Sequence, residues 1–304
     1  MNFMKRVVVL LLLIISTIFW FSCGGNQKAG DDQIKNKALN KVTDTSFSQI
    51  VKLNNTLFSV PSPYQAAIFI NEQNIPFNSE ILSDVKRVKE FTASFKMAAN
   101  LGVYGADLAY ITLYEHSPEA MKYFSVIKLL SEKLELLAAF DKSTIERLEK
   151  NVSDQDSMLY ILGNTYRNAD AYLKENQREH IASAVIAGGW VESMYLLTHL
   201  GDASNESLKI RIGENKKPLE NLIQLLAPYS ESGEGFKGLV ANLINLASIY
   251  ENVSVTYEFI SAKTNPETRV TVVNSKTSVS ITSETMTEIK DAVAQTRSFI
   301  INQN

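Results

Sequence analysis

From residue 85 onward, apolar side chains return every three or four positions, and this rhythm restricts the chain more than any other feature. Val85, Val88, Phe91, Phe95 and Ala99 follow it, as do Ala120, Phe124, Ile127, Ser131 and Leu134. So do Met158, Leu162, Tyr166, Ala169 and Leu173, and later Leu239, Leu243, Leu246 and Tyr250. At 3.6 residues per turn, that spacing lines one face of a helix, and the face must be buried against a neighbour. Only 13 Gly and 7 Pro fall among the 304 residues, so long uninterrupted elements are expected. The pattern predicts roughly eight to ten helices after residue 45. Ser62-Pro63-Tyr64-Gln65 reads as a helix start, with a capping Ser, a Pro in the first turn and a Gln able to close a capping box. Ser117-Pro118-Glu119 repeats the pattern, and Asp141 and Ser153 look like further N-caps.

Only one stretch alternates with period two. Thr268–Val273 and Thr277–Ile281, rich in β-branched residues, flank Asn274-Ser275-Lys276 and predict a hairpin. A last helix is expected from near Ser283, with Met286, Ile289, Val293 and Ile300 on one side. The expected fold is mostly α: a multi-helix bundle with a small C-terminal β-hairpin and a final helix. Helix pairs spaced about 35–45 residues apart leave a solenoid as the alternative, although no repeat consensus recurs in register.

The N-terminus has a different composition. Lys5 and Arg6 precede the apolar run Val7–Phe21, followed by Ser22, Cys23, Gly24 and Gly25. A cationic start, about fifteen apolar residues and small residues next describe an export signal, and the run is short for a membrane-spanning helix. Cys23 is the chain's single cysteine, which excludes a disulfide framework and thiolate zinc sites. A thiolate is also the nucleophile that a thioether lipid requires. The segment resembles a bacterial lipoprotein signal, in the looser form with Ser before Cys found in Bacteroidota. That resemblance implies cleavage before Cys23, lipidation of its sulfur and acylation of its new amine. Gly24, rather than Asp, favours the outer membrane. The expected organisation is a signal peptide over 1–22, a lipidated N-terminus and polar tether over 23–44, and one helical domain over 45–304.

The formal net charge is −3, and loss of Lys5 and Arg6 leaves 28 basic and 33 acidic side chains, a formal −5. An acidic body argues against a nucleic-acid partner, which needs a basic face. The histidines, His116, His180 and His199, form no His-x-x-x-His or Glu-x-x-His pair, and Glu192 with His199, two turns apart, is the best pair available for a metal. Neither a Gly-x-Ser-x-Gly elbow nor a phosphate-binding or dinucleotide glycine motif is present. No cofactor, metal or catalytic residue is therefore predicted.

Two segments depart from ordinary helix composition: Leu101-Gly-Val-Tyr-Gly-Ala-Asp-Leu-Ala-Tyr110 and Ala187-Gly-Gly-Trp-Val-Glu-Ser-Met-Tyr195. Each places a carboxylate and an aromatic among glycines and apolar residues. Glu192 is the only charge between Ile181 and Leu197, which predicts a central buried helix. A buried carboxylate must be protonated, hydrogen-bonded or paired. Either Tyr104, Asp107, Trp190 and Glu192 line a ligand pocket, or each carboxylate bonds the protein itself while the glycines let helices approach. Together with Val60-Pro61-Ser62-Pro63 and Asp156-Ser157, these segments resemble a set of uncharacterised helical lipoproteins of Bacteroidota. The resemblance implies a helical fold and an envelope location over most of residues 45–304. The function expected is a membrane-attached binding module for a partner protein or a small apolar ligand. An enzyme using Asp107 and Glu192, and a structural envelope factor without a pocket, are the alternatives.

Overall fold

The computed structural model describes residues 48–53, 56–136, 146, 150, 175–265, 270–272 and 276–302, with side-chain surroundings from Val60 onward. All of them belong to one unit, residues 44–304. The unit is mostly α-helical, with antiparallel strand pairing near the C-terminus and a final helix after it. The helix of Met158–Leu173 and the caps at Asp141 and Ser153 lie outside the described residues.

The chain enters through a hairpin the periodicity did not predict, β1 (Ser48–Leu53) against β2 (Thr56–Pro61). α1 (Pro63–Glu72) then starts with Pro in its first turn, as expected. The capping box does not form. Ser62 makes no side-chain cap, and its Oγ is buried without a partner. The stripe from Val85 to Ala99 is divided between a 3-10 turn (Val85–Lys89) and α2 (Ser94–Leu113). Val88, Phe91, Phe95 and Ala99 are nonetheless all buried. Apolar spacing decides which residues face inward, not whether one ladder of backbone hydrogen bonds runs through them.

α3 (Ser117–Lys133) carries Glu119 in its first turn, next to the positive end of the helix dipole. α4 (Glu179–Leu200) is the one described helix long and apolar enough to cross a membrane, yet most of it lies inside the protein. This is the buried central helix expected from its composition. α5 (Glu206–Gly213), α6 (Lys216–Leu226) and α7 (Glu234–Tyr250) follow, and Asn205 caps α5 by accepting from the Leu208 N–H. α8 (Ser283–Ile301) is the final helix.

The most extensive packing is between α2 and α4, and α1 lies against both. α8 packs on α4, α7 and α2, so the end of the chain returns to the first long helix. That closure is not the neighbour-only stacking of a solenoid. α2 also holds the end of α8. The Lys96 ammonium donates to the Asn302 carbonyl at 2.8 Å and to the Phe299 carbonyl, while Asn100 Nδ2 donates to the Ile300 carbonyl at 3.0 Å. A cation at the negative helix end satisfies carbonyls that the helix itself leaves unpaired.

The predicted hairpin pairing is not what forms. Val270–Val272 (β5) pairs with Lys263–Asn265 (β4), and Lys276–Ser280 (β6) pairs with Ser254–Glu258 (β3). The two predicted strands therefore lie along one side of a longer ribbon, with partners upstream at 254–265. Period-two alternation identifies a strand but does not name its partner. Val279 of β6 seats the ribbon on the body, where its methyls fill the space a Cβ on Gly213 would occupy.

Candidate functional site

The two unusual segments meet at the crossing of α2 and α4. A Cβ on Gly102 would come within 2.0 Å of the Val185 carbonyl oxygen, and one on Gly188 within 1.9 Å of that of Ala99. These glycines let the backbones touch, as their composition suggested. One turn or so further along each helix, the crossing delivers Asp107 and Glu192 to one point.

Both carboxylates are fully buried, and their partners are the protein's own groups. The Arg297 guanidinium, from α8, grips Glu192 with two bonds, Nε to Oε2 at 2.6 Å and Nη2 to Oε1 at 2.8 Å. Its Nη2 also donates to Ser83 Oγ at 2.9 Å and to the Ile81 carbonyl at 3.2 Å, and its flat face lies 4.0 Å from the Tyr195 ring centre. Asp107 Oδ2 accepts from the Ser83 N–H at 3.1 Å. Tyr123 donates to the Ser83 carbonyl and Tyr104 to the Asp84 carbonyl, each at 2.8 Å. The cluster thus fastens the loop of Ile81–Asp84 to α2, α3 and α8, and Arg297 links it on to Glu192 of α4.

Its electrostatics follow from charge balance. Burial, and then the neighbouring Glu192 charge, push the Asp107 carboxyl well above the usual carboxylate range, more than Arg297 and the Ser83 N–H pull it down. Burial opposes the Arg297 charge, but the bond to Glu192 outweighs it and raises its pKa. The consistent state is one cation, one anion and one neutral acid. Asp107 Oδ1 is buried without a hydrogen-bond partner and the Glu192 side chain lies beside Asp107, so a proton on Oδ1 would supply the bond that this atom lacks.

Of the four residues expected to line a pocket, Tyr104, Asp107 and Glu192 therefore share one closed cluster. Trp190 points elsewhere, with its indole N–H donating to Asn215 Oδ1 at 3.0 Å. All four are at most 1% exposed. The space proposed for a ligand is filled by Arg297, Ser83 and Asn215, which corrects the pocket reading in favour of carboxylates bonded within the chain. Arg297 was missed, although the sequence holds a signal for it: it stands in the apolar stripe of α8, at the step between Val293 and Ile300.

An open cleft lies elsewhere, with a volume of about 450 Å³. Its walls are Phe95, His180, Tyr229 and Phe236, where α2, α4 and α7 begin. Phe95 meets Phe236 edge-on at 4.9 Å, and His180 lies 6.2 Å from Tyr229 and 6.3 Å from Phe236. Burial, with the Arg178 charge adding to it, lowers the His180 pKa, so the ring is neutral at pH 7. Ser94, Ser232 and Glu234 also line the cleft, so its wall mixes aromatic and polar groups. The four rings come from three separated segments, and no spacing in the sequence announces them. Among the described residues, no three His, Cys, Asp or Glu side chains gather in a way that could hold a metal ion.

The fold and cluster define a class of molecule: a helical domain knit around a buried arginine–carboxylate cluster, with an aromatic cleft at its surface. No family model matches the chain, and neither a characterised protein nor a solved structure matches it.

Proposed function

We propose that this chain is a lipid-anchored protein of the bacterial cell envelope, at the outer membrane, whose helical domain is a binding module. The observation that carries the reading is positional: the only cysteine, Cys23, follows the apolar run Val7–Phe21 and has small neighbours on both sides. The likeness to helical lipoproteins of Bacteroidota supports it. Attachment through the lipid leaves the acidic body in water, since anionic headgroups repel it.

For the domain, the aromatic cleft supports binding of a small apolar ligand. An enzyme built on Asp107 and Glu192 is the weaker reading, because both carboxylates are enclosed and committed to Ser83 and Arg297. Cys23→Ser should abolish labelling of the protein by a palmitate analogue in growing cells and leave an unprocessed precursor. Labelling that survives the substitution would refute the anchor.

A further inference from the structure

Three rings of the cleft form a cage. The centres of His180, Tyr229 and Phe236 make a nearly equilateral triangle: 6.2 Å from His180 to Tyr229, 6.3 Å from His180 to Phe236 and 6.0 Å from Tyr229 to Phe236. Their planes are inclined to one another by 57°, 67° and 51°, so no pair is stacked face to face. Phe236 is buried and forms the floor, braced by Phe95 edge-on at 4.9 Å, while His180 and Tyr229 are half-buried. A point about 3 Å above the triangle is about 4.7 Å from all three centres, inside the roughly 6 Å over which ring faces attract a cation.

The charges around the triangle also suit a cation. Glu234 lines the cleft in the first turn of α7, and Glu179 stands in the first turn of α4. Each carboxylate offsets the positive end of its own helix. The start of α2 carries no acid, so its partial charge is set against two full ones. Glu179 is near enough to Tyr229 that its charge, after burial, raises the pKa of the hydroxyl. Arg178, the cation that His180 feels, is engaged elsewhere: it donates to the Leu134 carbonyl at 2.9 Å and lies 3.7 Å from Glu135. His180 is itself neutral at pH 7 and adds a ring without adding charge.

We propose that the cleft binds a quaternary ammonium compound, with the methylated nitrogen over the rings of His180, Tyr229 and Phe236. The proposal rests on the cleft being the ligand site of the domain, and names the class of ligand. A neutral molecule of the same shape gains burial there but no attraction to ring faces or to Glu234. A primary ammonium is strongly hydrated and gives up that water on entry, whereas a quaternary one has no N–H to leave unpaired. The cleft, about 450 Å³, falls within the roughly 300–1,000 Å³ of small-molecule sites, and the Ser94 and Ser232 hydroxyls on its wall can take a short polar arm. Glu234 repels a phosphate next to the nitrogen, so a free ammonium alcohol fits better than a phospholipid headgroup.

The test titrates the full chain, in maltoside micelles, with choline and with 3,3-dimethyl-1-butanol, which has the same shape without the charge. Binding is followed by saturation-transfer NMR of the ligand methyls and read against protein-free micelles. Choline should bind at least about fivefold more tightly, with its methyl protons shifted upfield by the ring faces. Equal affinity, or tighter binding of the alcohol, overturns the ammonium proposal and leaves an apolar-ligand site standing. Binding of neither probe removes both. Tyr229→Leu should weaken choline at least about threefold and the alcohol less than about twofold, whereas Tyr229→Phe, which keeps the ring, should hold choline as the parent does. Equal loss of both probes from Tyr229→Leu means that shape alone holds the ligand, and overturns the proposal. Phosphocholine separates the sources of the ammonium: binding weaker than choline supports a free compound, and equal or tighter binding assigns the same cage to a phospholipid headgroup.

Discussion

Arg297, Glu192 and Asp107 show at the scale of single residues how a core accommodates charge. The two bonds between Arg297 and Glu192 keep the guanidinium and carboxylate compensated, and burial beside Glu192 raises the Asp107 pKa, which favours a neutral acid over a second anion in the same space. Asp107→Asn preserves the geometry: its amide oxygen can accept from Ser83 and its amide nitrogen can donate to Glu192. An unfolded Asp loses its proton near the ordinary value of about 3.9, while folded Asp107 keeps its own to a higher pH. The stabilisation from that retained proton is complete below the ordinary value and is lost as pH rises through the folded one. Melting curves from about pH 4 upward should therefore show Asp107→Asn gaining on the parent as pH rises; a constant Tm difference would refute a protonated Asp107. Glu192→Gln leaves the buried guanidinium without a counter-charge and should cost about 3–5 kcal/mol in urea unfolding. Glu192→Leu with Arg297→Met should recover most of that loss, since a matched apolar pair removes both desolvation terms.

At the scale of elements, the crossing of α2 and α4 depends on glycine. Alanine at Gly102 or Gly188 sets a methyl against a carbonyl of the facing helix, so backbone must move. Each substitution should cost about 1–3 kcal/mol by chemical denaturation, and parent-like stability in both would refute the close crossing. Much at this scale was legible beforehand. The helix stripes, the final helix, the buried α4 and the role of the glycines follow from local periodicity and side-chain size. Strand pairing was not legible. Thr268–Val273 and Thr277–Ile281 have the composition of two partners, yet both described segments pair upstream, because alternation specifies a face and leaves the neighbour to the rest of the fold. The hairpin of β1 and β2 was overlooked although Asn54-Asn55 separates Ile50-Val51 from Leu57-Phe58 in a manner that suits a short turn.

Over the whole molecule, α8 ties together segments far apart in the chain: Arg297 reaches back 105 residues to Glu192, and Lys96 caps the α8 terminus across 203. Such long-range closure makes α2, α4 and α8 one cooperative unit, while the ribbon, exposed over Ser254–Glu258 and Val270–Val272, shares little of it. Hydrogen exchange on the intact protein should find the slowest amides in these three helices and fast exchange in Ser254–Glu258 and Val270–Val272. Ribbon amides protected as strongly as those of α4 would contradict this division. The sequence alone determined the helical character and the inward faces, since each is written within a few consecutive residues. Only the tertiary structure decided that Asp107 and Glu192 meet Arg297 rather than a ligand, that Phe95 and His180 share a cleft, and which strands pair. Those outcomes depend on contacts between residues tens to hundreds of positions apart, and ion pairing or ring packing over such separations leaves no local pattern to read.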